Sequence, residues 1–184
     1  MIDPKLNGNK VVFGPCRLSY THLFEKHSFD GTGEGKYSTN VLIPKTEKKT
    51  IAAIEKAIEA AKSQGILSKW GGKKPRKFTS PLGDGDERED ENYHGMCFIN
   101  AKSNTRPGVV DAKGAPITDE EDIYSGVWAY VSVAFYPYSV SGNSGVACGL
   151  NNVMKYKDDE RFGGNASASS DFAELLDNED DEDL

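Results

Sequence analysis

Hydrophobic and polar positions alternate most regularly between residues 124 and 138. There Val127, Ala129, Val131, Val133 and Phe135 interleave with Trp128, Tyr130, Ser132, Ala134 and Tyr136. A period of two belongs to a strand with one face in a core and the other turned away from it. Similar but shorter runs predict strands at 10–20, 36–43, 92–103 and near 108–110. Gly14-Pro15 inside the first of these suggests a bulge or an edge, and Pro44 ends the second. Ser141-Gly142-Asn143-Ser144-Gly145 forms the turn of a hairpin that returns over 146–155. Only residues 47–64 carry a helical period, with Ile51, Ile54 and Ile58 on one stripe, Thr46 as N-cap and Gly65 as C-cap. Residues 70–92 read as loop. About six strands, one helix and no β-α-β rhythm predict a mainly β protein built as a small antiparallel barrel.

Charge changes the picture at the C-terminus. The chain has 184 residues and a net charge of −7, with 22 basic and 29 acidic side chains. Eight of the acids fall between Asp171 and Leu184, where there is no Lys or Arg, so the preceding 170 residues carry 22 bases against 21 acids. The acidity belongs to a tail, and the body is nearly neutral. We therefore expect a folded domain over 1–164 and a disordered acidic tail over 165–184. Within the tail, Asp171, Phe172, Glu174, Asp177, Glu179, Asp180, Asp181, Glu182, Asp183 and Leu184 make a flexible polyanion with occasional apolar groups. Such a segment is expected to compete with nucleic acid for a basic groove and to recruit partner proteins.

Two further segments carry candidate chemistry. The non-core face of the long strand bears Trp128, Tyr130 and Tyr136, with Tyr138 beyond Pro137. Large rings on that face either pack under a helix or loop, or offer stacking surfaces for bases, each worth roughly 1–3 kcal/mol. The stretch from Lys69 to Phe78 holds five cations (Lys69, Lys73, Lys74, Arg76 and Lys77), no acids, and the rings of Trp70 and Phe78. Glycines and a proline predict a mobile loop there, with cations for phosphates and Trp70 for a base. The acid run from Asp84 to Glu91 lacks calcium-loop spacing and reads as solvated charge, free to pair with the basic loop before it.

Other chemistries find little support. His22, His27 and His94 have no ligand spacing, so no metal or cofactor is expected, and no nucleophile motif suggests a catalytic residue. Cys16, Cys97 and Cys148 are scattered, as befits reduced thiols. No apolar run nears a membrane span, and the N-terminus has no signal-peptide core, so the expected location is a cytoplasm, away from membranes.

The chain resembles a family of phage-encoded single-stranded DNA-binding proteins over roughly residues 8–172. The likeness rests on Val11–Tyr20 (VVFGPCRLSY), Tyr37–Pro44 (YSTNVLIP), Trp70-Gly71-Gly72 and Pro81–Asp86. It continues through Phe98–Ala101, Ile123–Gly126, Gly145–Asn152 (GVACGLNN) and Arg161–Gly164. It implies an OB-fold, single-stranded DNA as partner, and a role in phage DNA replication or recombination with no enzymatic activity. Together with the residues, it suggests sequence-independent binding by phosphate neutralisation and base stacking, with homo-oligomers left open. Two rival readings remain at this level. One is a metal-dependent nuclease using Asp84, Asp86 and Asp111; the other is an adaptor that binds proteins through its acidic tail.

Overall fold

The structure, a computed structural model, describes residues 1–28, 30–163, 172 and 175. Its elements in chain order are β1 (Lys5–Asn7), β2 (Lys10–His27), β3 (Lys36–Pro44), α1 (Lys48–Ser68), β4 (Phe78–Thr79) and β5 (Leu82–Asp84). They continue with β6 (Met96–Ser103), β7 (Gly108–Val110), β8 (Trp128–Val140) and β9 (Asn143–Lys157). Five strands form a ring in the order β9-β8-β2-β3-β6, and β6 closes it against β9 at Ala101↔Cys148 and Lys102↔Gly149. This is a mainly β, OB-type barrel with one main helix.

The closing pair is parallel, which corrects the expectation of a purely antiparallel barrel. Alternating strand direction around a closed ring requires an even number of strands. With five, one neighbouring pair must run the same way. The strand total is nine among the described residues, against about six expected. The additional ones include β1, β4 and β5, of two or three residues each, too short to show a period. Two of them, with short 3₁₀ turns at Gly85–Glu87 and Glu91–Tyr93, lie in the segment expected to be loop.

The alternation along the chain maps directly onto the barrel wall. Val11, Phe13, Leu18, Val41, Ile43, Ile99, Val131, Val133, Phe135 and Leu150 are buried together. Each such side chain contributes roughly 1.5–3 kcal/mol of burial. Between Phe13 and Cys16 the β2–β8 register shifts, so Gly14-Pro15 marks a bulge. A Cβ at Gly14 would sit 2.9 Å from both the Ala129 carbonyl oxygen and the Tyr130 Cα. The missing side chain thus lets β2 approach β8 there.

Helix α1 lays Ala53, Ile54, Ala57, Ile58 and Ala61 against this core, with Ile51 half-buried at the edge. Its ends differ from expectation. The N-cap is Glu47, without a side-chain cap bond, and the helix runs through Gly65 to Ser68. Gly65 serves packing instead of capping: a Cβ would lie 2.7 Å from the Pro137 Cβ and 2.8 Å from the Trp70 ring. All three cysteines are free, and burial pushes the Cys16 thiol up to about 12 and that of Cys148 higher still. No described helix is long and apolar enough to cross a membrane. The acidic tail lies outside the described residues except for Phe172 and Leu175, both exposed.

Candidate nucleic-acid interface

Strand β8 alternates strictly: Ala129, Val131, Val133, Phe135 and Pro137 are buried, while Trp128, Tyr130, Ser132, Ala134, Tyr136 and Tyr138 are not. The aromatic row therefore faces away from the buried core, on the outer wall of the barrel. Tyr136 is 41% exposed, and partial burial raises its phenol pKa above the ordinary value. Opposite Tyr136 and Ala134, β9 presents Ala147 and Gly149. The Tyr136 ring lies over Gly149, where a Cβ would come within 3.6 Å of it.

At the Trp128 end the rings and cations interlock. Tyr130 and Tyr156 meet edge to face at 5.6 Å, and Tyr156 is 48% exposed. The Lys157 ammonium lies 5.2 Å from the Trp128 ring centre, and the Arg17 guanidinium lies 5.9 Å from it and 4.1 Å from that of Phe162. The chain after β9 folds back over this cluster. The Trp128 indole N–H donates to Asp159 Oδ2 at 2.8 Å, and Arg17 Nη2 donates to the Glu160 carbonyl at 2.6 Å. Arg17 Nε donates to the Gly126 carbonyl at 2.9 Å. Gly126, at φ 110°, is the residue against which this segment docks, and a Cβ there would overlap the Glu160 carbonyl oxygen. The hydrogen bond from Trp128, then the Glu160 N–H and the Arg17 charge, hold the Asp159 carboxyl below its ordinary pKa. Asp158 is lowered mainly by its bond from Lys155, at 2.8 Å, and also accepts from the Tyr124 hydroxyl.

The other end of β8 carries the basic loop. Tyr136 and Tyr138 point outward there, while Pro137 points inward at Gly65. Trp70 packs on this inner side. Its N–H donates to the Tyr138 carbonyl at 3.1 Å, and its ring meets Phe78 edge to face at 6.0 Å. It is half-buried and anchors the loop to the barrel, so the segment is tethered at its ring, where a freely mobile loop was expected. Lys69, Lys73, Lys74, Arg76 and Lys77 are all exposed. Among the described residues, none of the five has a carboxylate within ion-pairing distance. The Lys74 ammonium lies 4.9 Å from the Phe78 ring.

The structure thus brings the loop cations to the Tyr136–Tyr138 end, while Trp128 and Tyr130 sit some ten residues away, on the order of 30 Å along the strand. Sequence reasoning missed Arg17, Tyr124, Tyr156, Lys157 and Phe162. A signal existed in Lys155-Tyr156-Lys157, which repeats the cation–ring alternation at the end of β9. The acid run takes a different partner from the one expected. Lys45 on the loop after β3, not the basic loop, holds Asp84 at 2.6 Å and Asp86 at 2.5 Å. Asp111 accepts from the Lys113 and Ala115 N–H groups of its own turn. No group of three His, Cys, Asp or Glu among the described residues is placed to hold a metal ion.

Comparison with known proteins identifies the family and the fold. The family described as the single-stranded DNA-binding protein of Enterobacter phage Enc34 matches residues 9–184. A protein of Acyrthosiphon pisum secondary endosymbiont phage 1, described as putative protein p50, is 32% identical, with 90% of this chain and 94% of that one covered. The Enc34 single-stranded DNA-binding protein, solved in complex with single-stranded DNA, superposes with a TM-score of 0.74 at 28% identity, covering 88% of this chain and 94% of that one. The gp2.5 single-stranded DNA-binding protein encoded by bacteriophage T7 shares the fold, with a TM-score of 0.58 at 17% identity and coverage of 86% and 97%. The chain belongs to the Enc34-type family of phage single-stranded DNA-binding proteins, a family of binding proteins and not of enzymes.

Proposed function

We propose that the protein binds single-stranded DNA without sequence preference along the outer wall of β8 and β9, in phage DNA replication or recombination. The observation that carries this reading is the outward aromatic row of β8 between two sets of cations. Every base has a π-face, so Trp128, Tyr130, Tyr136 and Tyr138, joined by Tyr156, stack on bases without reading them. Lys69, Lys73, Lys74, Arg76 and Lys77 neutralise phosphates at one end, and Arg17 and Lys157 do so at the other. Trp70 holds the loop cations in place and offers only the uncovered part of its ring. The relative solved with single-stranded DNA supports the choice of ligand.

The acidic tail regulates this binding by lying in the same groove, and it also recruits replication or recombination proteins. Supporting this is the chain just before it, where Asp158 and Asp159 already engage Lys155, Arg17 and Trp128. Titration with oligo(dT) over a range of salt concentrations tests the reading. If the five loop cations engage, they contribute about −3.5 to the slope of log affinity against log salt, at about −0.7 per phosphate. Deleting residues 171–184 tightens binding at low salt, and the gain shrinks as salt rises. A slope near zero contradicts the electrostatic half of the proposal, and an unchanged low-salt affinity contradicts the role of the tail.

A further inference from the structure

The β8–β9 hairpin has a basic end and an acidic end. Its turn carries the cation loop, tied on by the Trp70 bond to Tyr138 and by the pairing of β4 with Ser144 and Gly145. At the open end, just before Trp128 and just after Lys157, segments 120–125 and 161–162 face residues 21–25 of β2 across a cleft of about 480 Å³. Glu25, Glu120 and Glu121 stand on its rim, all exposed. No cation of the described residues lies within ion-pairing distance of any of the three. Arg161 and His22 also line the cleft. The Arg161 guanidinium is turned against the Tyr124 ring at 4.3 Å. Burial, then His27, lowers the His22 pKa below its ordinary value, so the imidazole is neutral at pH 7. The rim is therefore net negative.

The cleft also holds an open strand edge. β2 pairs with β8 only as far as Arg17↔Trp128. Leu18 then donates to the Val127 carbonyl at 3.0 Å and accepts from the Gly126 N–H at 2.7 Å, and the Thr21 N–H donates to the Ser125 hydroxyl at 3.3 Å. Beyond that point β2 has β3 on one side and, among the described residues, no strand on the other. Leu23 and Ile123 are buried in the floor, and Phe24 and Phe162 are half-buried beside them. An apolar floor, an acidic rim and a free edge suit an extended segment rich in cations.

Charge selects the occupant. DNA and the acidic tail are both polyanions, and the rim repels them. The chain itself carries a segment of the right chemistry, Lys73-Lys74-Pro75-Arg76-Lys77-Phe78, whose cations are exposed and have no carboxylate beside them. Within one chain this segment lies at the far end of β8, on the order of 30 Å from the cleft. In a second copy placed end on, it reaches the cleft directly. We propose that copies of the protein associate head to tail, the basic loop of one seated in the β2 cleft of the next, so that their β8 rows follow one another along a single DNA strand. The contact rests on the reading of the protein as a single-stranded DNA binder. It joins two different surfaces, so it does not close on itself and propagates along the strand. A lysine ammonium has three donors and can meet a phosphate and a carboxylate together. Exposed ion pairs are weak, so the contact counts where DNA already holds two copies side by side.

The cleft can be disarmed without touching the DNA wall. For the wild type, per-site affinity for poly(dT) exceeds affinity for an oligo(dT) that holds a single copy by roughly tenfold, three exposed ion pairs at about two- to threefold each. The variant Glu25→Gln/Glu120→Gln/Glu121→Gln brings that ratio close to one. Its melting temperature holds, because all three side chains are exposed. A wild-type ratio of one, or an unchanged ratio in the variant, overturns the proposal. A synthetic peptide of residues 69–79, added to the DNA-free full-length protein, shifts the backbone amide resonances of Leu23, Glu25 and Ser125, and added salt weakens the shifts. Shifts without the poly(dT) advantage assign the cleft to a basic segment of another protein and overturn the contact between copies. If the wild type binds no oligo(dT) at all, the proposed function falls, while the peptide still reports on the cleft, and absent shifts overturn the contact as well.

Discussion

The two ends of the β8–β9 hairpin use the same residue types in different ways. At the Trp128 end ring and cations are engaged together: Arg17 is held by Gly126 and Glu160, Lys157 leans on Trp128, and the indole N–H donates to Asp159. At the loop end the cations are open and the ring is engaged, since Trp70 is held by Tyr138 and packed on Gly65 and Phe78. An engaged ring gives a loop a fixed root, whereas at the Trp128 end the cations and Asp159 together hold a half-buried ring. Rings occur at both ends, but the exposed cations with no carboxylate beside them are concentrated at the loop end. It follows that they can be removed separately.

The largest effect is expected from neutralising the loop. Replacing Lys69, Lys73, Lys74, Arg76 and Lys77 with Gln flattens the salt dependence of oligo(dT) binding by about 3.5 in log–log slope. It leaves the melting temperature nearly unchanged, because all five side chains are exposed. Trp128→Ala does the converse. It weakens binding by about 1–3 kcal/mol while the slope stays close to the wild-type value. Should the loop variant keep its slope, or the Trp128 variant lose it, the two ends do not divide the work as described.

Gly65→Ala probes the anchor of the loop. The added methyl must enter space bounded by Pro137 and the Trp70 ring at 2.7–2.8 Å, so we expect a loss of about 1–3 kcal/mol in thermal or denaturant unfolding. A variant as stable as the wild type would mean that the ring shifts freely.

The smallest effect is acidic. The carboxyls of Asp158 and Asp159 are held below their ordinary pKa of about 3.8, by Lys155 and Trp128 respectively. A depressed folded-state pKa stabilises the fold above the unfolded value, and that stability is lost as pH falls through the folded value. The segment after β9 should therefore release from the Trp128 cluster only below about pH 4. Trp128 fluorescence that changes already between pH 7 and pH 5 would contradict this linkage.

Much of the barrel was legible in the sequence because β8 is long enough to show its period, and its core face follows from Val131, Val133 and Phe135. Which side of the aromatic row is covered was not legible from one strand. That depends on where α1 lies, and α1 packs on the inner side. The parallel closure of β6 on β9 joins residues nearly fifty positions apart and leaves no local trace. The fate of Trp70 was hidden for the same reason. A basic, glycine-rich stretch signals an exposed loop, but the groups that hold its ring, Pro137 and Tyr138, lie almost seventy residues downstream. Lys45 likewise claims Asp84 and Asp86 from a distant loop.

Fluorescence reports whether bases stack on the outer wall of β8. The chain has two tryptophans, so Trp70→Phe leaves Trp128 as the single indole reporter. Titrating that variant with oligo(dT) should quench Trp128 emission saturably, with a midpoint that moves to higher DNA concentration as salt is added. Saturable binding by an independent measure such as anisotropy, with Trp128 emission unchanged throughout, would place the DNA elsewhere and contradict the account.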